Sequence, residues 1–374
     1  MHGTVDVTFL LPKYGWQASG GFSVVYTYAS LLARAGHEVR VLHPRRLPPG
    51  GWPAPVGVMG RARRAAARLR DHIMRPRLRW AVVDPRVELA YIPEISARHV
   101  PDGDAVIATW WSTAEAALEL PASKGRRFHL VQGYEVWNGA EERVHAAWRA
   151  PLHKIFIAGW LQRRALELGV PESMTTLIPN AVPHDTFFVT RPIDARPPRV
   201  AMLYSSQPYK GGDVGLDILR RAKERVPALS AALFGVERAP HGLPSWITYT
   251  RNASARELAA NIYNEAAIYL CPSLSEGWHL PPAEAMACGC ALVSSDIGGV
   301  QDYAVHHDTA LLFPAGDVEA GAACVARLLA DGEERMRLAA RGRDRISTFS
   351  WDRSAARLEA LLARSIETAD GGPQ

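Results

Sequence analysis

The chain has 374 residues, which is too long for a single ordinary hydrophobic core. This length predicts two domains with a cleft between them. Its composition, 48% hydrophobic and 22% charged, is that of a globular protein and excludes disorder except in the terminal stretch ETADGGPQ. No apolar run is long enough to span a membrane, and the first residues lack the positive start of a secretory signal, so we expect a cytoplasmic protein. The net charge of +5 suits an anionic ligand and equally an arginine-rich genome, so the charge by itself decides nothing.

Strand and helix patterns alternate along the first half of the chain. Apolar, β-rich runs occupy residues 5–11, 38–44, 104–111, 127–132 and 154–159, and a helical pattern occupies residues 22–35. This alternation is typical of a parallel sheet whose strands are joined by crossover helices. The sequence therefore predicts a doubly wound α/β domain over residues 1–188.

A second cycle of the same alternation follows a proline-rich stretch at residues 185–198, which we interpret as the linker. Its β-rich runs occupy residues 199–206, 229–235, 267–273 and 291–296, with a helix at 212–226. These runs predict a second doubly wound domain over residues 189–350. Residues 351–374 contain an amphipathic helix, at 351–367, that we expect to pack back on the first domain, and then a disordered end.

Residues that follow the strands are the candidates for chemistry, because ligands bind outside the carboxyl ends of open parallel sheets. Gly20 and Gly21 follow the first strand and precede a helix, where glycines admit a ligand close to the backbone and exposed amides attract phosphate. Lys210 and Gly211 follow the first strand of the second half, and the Lys210 ammonium would suit a diphosphate in the cleft. The alternatives are a glycine turn required by geometry alone and a solvated loop lysine.

Two glutamates, Glu276 and Glu284, lie eight positions apart in SLSEGWHLPPAEAMACGC, directly after the β-rich run at 267–273. Glu276 falls in the turn at the carboxyl end of that strand, while Pro281 and Pro282 suit a first helical turn that includes Glu284. Both carboxylates would then lie on one rim of the cleft and accept hydrogen bonds from sugar hydroxyls, while loop amides hold a phosphate. Alternatively, Glu284 is only a helix-start carboxylate favoured by the helix dipole.

The stretch EGWHLPPAEAMACGCALVSSDIGG, residues 276–299, resembles the glutamate, seven residues, glutamate signature of bacterial retaining nucleotide-sugar glycosyltransferases of family 4. The resemblance extends to the Gly20-Gly21 turn, to IPNAV at 178–182, to PYKGG at 208–212 and to FSW at 349–351. These motifs touch both halves of the chain in the family's order. They imply the GT-B fold, in which two doubly wound, Rossmann-like domains face each other across a cleft.

Carried over by position, the resemblance implies a donor site. Lys210 would bind the donor diphosphate, Glu284 the ribose hydroxyls and Glu276 the transferred sugar. The backbone amides of four loop residues would line the sugar and phosphate: Gly277, Trp278, His279 and Leu280. Gly211 would bind the donor beside the lysine, and the first domain would contribute Gly20 and Gly21.

The sequence departs from the family pattern at two places. The family usually has an arginine five residues before the lysine, and Ser205 stands there. Either one side chain and amides hold the diphosphate, or another cation, Arg251 or Arg163, substitutes. Many members also carry a histidine near the reacting carbon, where this chain has HLVQGYEVWNG at 129–139, with Gln132 in place after the strand.

Candidate acceptor-binding residues come from the first domain. Tyr134 and Glu135 lie where that histidine is expected, so Glu135 is our candidate for an acceptor-binding and catalytic carboxylate, with a structural role as the alternative. Trp110 and Trp111, at the end of the preceding strand, suit stacking on an acceptor sugar, with core packing as the alternative for one of them. His129 is predicted to be packed inside its strand.

Two further features lie outside these motifs. Residues 61–79 hold eight arginines and one acid at amphipathic helical spacing, which suits peripheral contact with an anionic inner membrane surface, an anionic acceptor, or merely a solvated helix. The arginines lack interleaved aromatic residues, so we expect no nucleic-acid partner. The four cysteines lack metal or disulfide spacing, so we expect small buried residues and no metal site: Cys271, Cys288, Cys290 and Cys324.

The combined prediction is a metal-independent, retaining glycosyltransferase that moves a hexose or deoxyhexose to a glycan, lipid-linked or small-molecule acceptor. It needs no cofactor, because the nucleoside diphosphate sugar is a co-substrate, and Lys210 with helix-start amides would stabilise the charge on the leaving diphosphate. The alternatives are a nucleotide-sugar epimerase or hydrolase on the same fold and a non-catalytic sugar-nucleotide-binding subunit. Ser205 keeps the last alternative open.

Overall fold

In the computed structural model the chain divides into two compact units, and the structure describes residues 3–13, 19–46, 78, 80–136 and 141–370. The first unit comprises residues 1–157, 161–178 and 352–374, and the second comprises residues 158–160 and 179–351. The arginine-rich stretch at 61–79, apart from Leu78, lies outside the described residues.

The first unit is built on one parallel sheet. Its strands are β1 (Asp6–Leu10), β2 (Glu38–Pro44), β3 (Glu88–Ile92), β4 (Ala105–Ala108), β5 (Arg126–Val131), β6 (His153–Phe156) and β7 (Thr175–Leu177). Within the described residues they form a seven-stranded sheet in the order β3-β2-β1-β4-β5-β6-β7. The helices along this part of the chain are α1 (Gly20–Arg34), α2 (Trp111–Leu118), α3 (Glu141–Arg149) and α4 (Gly159–Glu167).

The second unit repeats this architecture. Its strands are β8 (Arg199–Leu203), β9 (Ser230–Gly235), β10 (Ile247–Arg251), β11 (Ile268–Cys271), β12 (Ala291–Ser295) and β13 (Ala310–Phe313), all parallel, in the order β10-β9-β8-β11-β12-β13. Its helices are α5 (Gly212–Arg225), α6 (Ala255–Glu257), which continues as a π-helical turn at Leu258–Tyr263, α7 (Leu280–Ala287), α8 (Val318–Ala330) and α9 (Gly332–Ser347). The prediction of two doubly wound, Rossmann-like α/β domains is confirmed.

The burial of each strand explains whether the sequence predicts it. Central strands such as β11 and β12 are buried at every position, so they read as continuous apolar runs. The four strands that lie outside the predicted β-rich runs are β3, β7, β10 and β13, and these are the four sheet edges. In β7 and β10, for example, most side chains are only partly buried or exposed, so their sequences carry little apolar signal.

The division between the units falls after residue 178, before the predicted boundary at 188. Residues 179–190 pack on the second unit, because the ring of Phe187 lies 5.9 Å from that of Tyr263 and the N–H of Thr190 donates to Asn264 Oδ1 at 2.8 Å. These contacts attach residues 187–190 to the second unit, and the linker over residues 185–198 stays a prediction.

The terminal helix α10 (Trp351–Asp370) belongs mostly to the first unit, in which residues 352–374 are grouped. Its Glu359 Oε1 lies 3.3 Å from His37 Nε2, and the carbonyl of Ser365 accepts a hydrogen bond from Arg126 Nε at 3.0 Å. The buried Leu358 and Leu362 form part of its apolar face. The helix therefore packs on the first unit, where it contacts residues from the opposite end of the chain.

Candidate functional site

The second sheet reverses its winding direction between β8 and β11, which are hydrogen-bonded neighbours although β9 and β10 separate them in sequence. Ligands of open parallel sheets bind outside the strand carboxyl ends at such a switch point. The loop after β8 carries Lys210, and the loop after β11 carries Glu276. The topology therefore places these two predicted residues at the edge where a ligand site is expected.

A glycine at position 211 lets these two loops approach each other. Gly211 adopts a left-handed conformation with φ 62° at the start of α5, and a Cβ atom there would lie 2.9 Å from the carbonyl carbon of Pro272. The N–H of Leu274 donates to the carbonyl of Tyr209 at 2.8 Å and ties the loops together. The predicted glycine thus serves to bring the lysine loop against the glutamate loop.

The ammonium group of Lys210 forms an ion pair with Glu276. Its Nζ lies 2.8 Å from Oε1 and 2.9 Å from Oε2 of the carboxylate. Ser273 Oγ donates to Oε1 at 3.0 Å, and His279 Nε2 lies 3.3 Å from the same oxygen. The Glu276 side chain is only 10% exposed, so its charge depends on these partners. The alternative of a solvated loop lysine is therefore wrong.

The charges in this cluster are set by burial and by the lysine. Burial disfavours ionisation of Glu276, but the electrostatic interactions with the His279 ring, when it is protonated in acid, and with Lys210, together with hydrogen bonds from Lys210 and Ser273, hold its pKa below the usual value. Burial lowers the pKa of His279 to about 4, so its imidazole is neutral near pH 7. Lys210 consequently supplies the positive charge at neutral pH, and an anionic ligand can compete with Glu276 for it.

Glu284 lies farther along its helix than the sequence predicts. Because α7 begins at Leu280, Glu284 falls in the second turn, and the helix-start alternative is wrong. Its Oε2 accepts a hydrogen bond from the hydroxyl of Tyr263 at 3.2 Å. Burial raises the pKa of Glu284 to about 7, against the opposing effect of that hydrogen bond. This carboxyl group therefore changes charge near neutral pH.

The loop that precedes α7 is anchored on its protein side. Trp278 is 4% exposed, and its ring centroid lies 5.0 Å from that of Tyr303 and 5.6 Å from that of Phe349. The carbonyl of Gly277 accepts a hydrogen bond from Trp160 Nε1 at 2.7 Å. The Trp278 side chain is therefore a core group, and only its backbone is available to a ligand.

The remaining two amides of the implied donor loop differ in their use. The N–H of His279 donates to the carbonyl of Gly299 at 3.0 Å, so this amide is already used within the protein and is not available to a ligand. Leu280 is the first residue of α7, where backbone N–H groups lack intrahelical acceptors.

A Cβ atom at Gly299 would lie 2.8 Å from the Glu276 carbonyl oxygen, so glycine is required for this close approach.

Ser205, where the resemblance expects an arginine, has an acidic partner. Its Oγ donates to Glu237 Oε1 at 2.9 Å, and the N–H of Ser206 donates to Glu237 Oε2 at 3.0 Å. Although burial opposes it, these hydrogen bonds hold the pKa of Glu237 below its usual value. Arg251 lies close by, with Nε donating to the Val236 carbonyl at 3.2 Å. The position of the family's guanidinium is thus taken by a serine bonded to a carboxylate.

The first sheet has its own switch point, between β1 and β4. Gly20 and Gly21 are the first two residues of α1, and a Cβ atom at Gly21 would lie 3.4 Å from Gln132 Oε1. Gln132 directly follows β5, and its Oε1 is buried without a hydrogen-bond partner among the described residues. The fold therefore brings the predicted glycine turn and the VQGYE segment to one edge of this sheet.

Glu135 is buried in the first unit, with 7% of its surface exposed. Burial raises its pKa well above the usual value, opposed by a hydrogen bond from the backbone of Trp111. Trp111 is itself buried at the start of α2, and the guanidinium of Arg143 lies 4.4 Å from its ring centroid. Core packing therefore describes Trp111, while Trp110, which precedes α2, is only partly buried.

The other candidates of the first unit have protein partners. The hydroxyl of Tyr134 lies 2.7 Å from His145 Nε2 and 3.3 Å from Glu141 Oε1, and Arg164 lies over its ring. His129 is 2% exposed within β5, and burial lowers its pKa to about 3. The prediction that His129 is packed inside its strand is confirmed.

Sequence reasoning missed several side chains that contact the predicted ones. Ser273 donates to the first glutamate of the pair, Tyr263 donates to the second, and Cys271 Sγ lies 3.2 Å from His279 Nδ1. Ser273 and Cys271 lie at the carboxyl end of β11, so a search of that strand end for polar groups would have found them. No local pattern marks Tyr263, which reaches the site from a π-helical turn.

Over the ranges that the structure describes, no three His, Cys, Asp or Glu side chains come together in a way that could hold a metal ion. The cysteine prediction holds for Cys271, Cys288 and Cys290, which are buried, whereas Cys324 is partly exposed. No helix of the described part of the chain is long and apolar enough to cross a membrane.

Comparison with known proteins gives a family for most of the second unit. Residues 185–345 match the family Glycosyl transferases group 1. D-inositol 3-phosphate glycosyltransferase of Corynebacterium glutamicum (strain R) is 29% identical over 191 residues, which cover 46% of this chain and 45% of that protein. The chain spans less than half of the length of this protein and of other curated relatives that it matches.

Solved structures resemble the chain over almost its whole length. Sucrose-phosphate synthase from Thermosynechococcus elongatus has a TM-score of 0.71 at 19% identity, covering 98% of this chain and 100% of that one. Anabaena HepE in complex with UDP-glucose has a TM-score of 0.68 at 13% identity, covering 96% of this chain and 100% of that one. The chain therefore has the GT-B fold of these glycosyltransferases, and its residues 185–345 match the group 1 glycosyl transferase family.

Proposed function

We propose that the chain is a retaining, metal-independent glycosyltransferase that takes a hexose or deoxyhexose from a nucleoside diphosphate sugar bound by the second unit. The observation that carries this proposal is the Lys210–Glu276 ion pair at the switch point of the second sheet. The segment that matches the group 1 family includes both residues. Retention of configuration follows from the resemblance to family 4.

Lys210 is proposed to bind the donor diphosphate. Its ammonium neutralises a carboxylate that carries one negative charge, and a diphosphate carries more negative charge with which to compete for it. The charge on the diphosphate grows as the sugar leaves, so a fixed ammonium stabilises the transition state more than the ground state. The amide of Leu280, at the start of α7, adds a donor that needs no reorganisation.

The two glutamates are proposed to bind the sugar parts of the donor. Glu284 is half-ionised near pH 7 and can accept from, or donate to, ribose hydroxyls. Glu276 is held in its charged form and would accept a hydrogen bond from a hydroxyl of the transferred sugar. UDP-glucose is the ligand of the Anabaena structure, and its chemistry fits these roles.

The acceptor is proposed to bind the first unit, and it is a glycan, a lipid-linked sugar or a small molecule. Glu135 is buried and has a raised pKa, so its neutral carboxyl group can donate a hydrogen bond to an acceptor hydroxyl. Trp110 is the candidate for stacking on a sugar ring, and Tyr134 lies beside Glu135 in the chain.

One observation favours a second candidate, a sugar-nucleotide-binding subunit without turnover. Glu237, held by Ser205, is an acid beside the position where the family's arginine would bind diphosphate. A negative charge there weakens stabilisation of the leaving group. Both candidates bind a nucleotide, so only turnover distinguishes them.

The first experiment is a thermal-stability panel with UDP, GDP, ADP, dTDP and their common sugar conjugates, each with magnesium and with EDTA. A ligand at a hundredfold above its Kd stabilises a fold by about 2.7 kcal/mol, and such a change raises Tm by several degrees. The Lys210→Ala variant is expected to lose the shift. Arg220→Ala, an exposed cation on the neighbouring helix α5, is the matched control and is expected to keep it.

The outcomes separate the candidates. A metal-independent shift that Lys210→Ala abolishes, followed by sugar transfer to an acceptor, supports the transferase, whereas release of free sugar without an acceptor favours the hydrolase. The same shift without any turnover favours the binding subunit, and an epimerised donor favours an epimerase. If no nucleotide stabilises the wild-type protein, or if Lys210→Ala turns over normally, the proposal is wrong.

A further inference from the structure

His279 has side-chain contacts at both ring nitrogens, and the function proposed above uses neither. Nδ1 lies 3.2 Å from Cys271 Sγ, and Nε2 lies 3.3 Å from Glu276 Oε1. The backbone of His279 is fixed separately, because its N–H donates to the Gly299 carbonyl at 3.0 Å and its carbonyl accepts the Tyr303 hydroxyl at 2.7 Å. A change of side chain therefore leaves the main-chain anchors in place.

The neighbours of the His279 ring favour the tautomer that carries the proton on Nε2. Burial raises the pKa of the thiol to about 11, so sulfur is protonated at neutral pH. The sulfur also has hydrogen bonds with the side chain of Ser294 and with Ser273, and its S–H can donate to His279 Nδ1, while Nε2 faces the Glu276 carboxylate, which only accepts. A neutral imidazole that accepts at Nδ1 carries its proton on Nε2. That N–H faces the Glu276 carboxylate.

The Nε2–H group is buried and has no well-aligned acceptor among the described residues. Lys210 and Ser273 both contact Oε1 of Glu276, at 2.8 and 3.0 Å, and so occupy the two lone pairs of the oxygen that faces His279. A buried donor without an aligned acceptor is costly, so His279 gains if the carboxylate turns toward it.

Donor binding supplies that opportunity. When a diphosphate draws the Lys210 ammonium away, Glu276 Oε1 keeps Ser273 and His279 as its neighbours, and Oε2 loses its partner. A neutral imidazole leaves the negative charge on the carboxylate, which makes Oε2 a strong acceptor for a hydroxyl group. Without the imidazole, Ser273 alone would hold the carboxylate in place.

We infer that His279 is a positioning residue whose Nε2–H fixes Glu276 Oε1, so that Oε2 receives a hydroxyl of the transferred sugar once Lys210 binds the diphosphate. The inference rests on the proposed function. It predicts that His279 acts on the sugar part of the donor and not on the nucleotide. An imidazole that only fills space would affect binding of the sugar part and of the nucleotide part alike.

The test compares His279→Leu, which keeps bulk but no polar atom, with His279→Gln, whose amide N–H reaches toward Glu276. Binding of the nucleotide found in the stability panel and of its sugar conjugate is measured by calorimetry, and kcat and KM are measured for release or transfer of the sugar. We expect His279→Leu to weaken the binding of the sugar nucleotide at least tenfold and the binding of the nucleotide by less than twofold. His279→Gln should recover most of the loss.

A parallel pair tests the cysteine. Cys271→Ser keeps a donor for Nδ1 and should behave as wild type, whereas Cys271→Ala should show part of the His279→Leu defect. Equal defects in Leu and Gln variants of His279, or equal loss of nucleotide and sugar nucleotide, would mean that the imidazole only fills space, and the inference would be overturned.

A measurement without ligand separates this inference from the proposed function. The carboxyl ¹³C signal of Glu276 is titrated in protein labelled at glutamate, with Glu276→Gln identifying the signal. We expect the midpoint to rise in His279→Leu and to return in His279→Gln. An unchanged midpoint overturns the inference even if nucleotides bind, and absence of nucleotide binding overturns the proposed function whatever the midpoint shows.

Discussion

The raised pKa of Glu284 makes the stability of the second unit depend on pH in a defined direction. Burial raises this pKa from the usual 4.5 to about 7. The unfolded chain releases the proton near the lower value and the folded protein near the higher one, so folding binds a proton between them and stability falls as pH rises through this window. One pKa unit corresponds to about 1.4 kcal/mol, so the loss is at most about 3 kcal/mol, and partial exposure of Glu284 reduces it.

Glu284→Gln isolates this effect, because the amide oxygen still accepts from Tyr263 but does not titrate. We expect the stability of wild type relative to the variant to fall by about 2 kcal/mol between pH 5 and pH 8, measured from urea denaturation at each pH. Glu224→Gln, on the exposed face of α5, is the control for the loss of a carboxyl group at the surface. A flat or rising difference for Glu284→Gln would refute the reasoning, as would a ¹³C titration midpoint for this carboxyl near 4.5.

Two further substitutions test the packing that supports the site. Gly299→Ala places a Cβ atom against the Glu276 backbone, so we expect a Tm several degrees lower and weaker sugar-nucleotide binding. Gly332→Ala, whose Cβ would meet only the flexible end of an arginine side chain, is the tolerated control. An unchanged Tm for Gly299→Ala would contradict the close approach. Arg196→Met removes a buried guanidinium that donates to four backbone carbonyls and Asn264, and we expect a loss of about 3 kcal/mol or more in unfolding free energy. A loss below about 1 kcal/mol would show that those carbonyls find other donors.

Much of the architecture followed from burial alone. The nine strands that the sequence predicts are the central ones, whose two faces are both covered by protein, so their apolar runs are continuous. The edge strands β3, β7 and β10 have partly exposed side chains and mixed sequences, whereas β13 is an apolar, mostly buried run of only four residues that was not predicted. Their place in the fold comes from backbone pairing with a neighbour, which leaves little trace in side-chain chemistry.

Part of the candidate site also followed from sequence. Glu276 and Lys210 were found because parallel sheets put their ligand loops after strands, and a glycine-rich turn and a strand end are local features. The helix start at Leu280 was misjudged because prolines tolerate more than one position in a first turn, and this moved Glu284 into the second turn.

The sequence by itself determined which residues could carry charge and hydrogen bonds, and the order of strands and helices that would carry them to a sheet edge. Only the tertiary structure decided what each charge meets. Tyr263 reaches Glu284 from 21 residues away, Glu237 reaches Ser205 across 32, and Lys210 reaches Glu276 across 66. Protonation and orientation depend on burial and on neighbours within a few ångströms, and the sheet brings such neighbours together from distant parts of the chain.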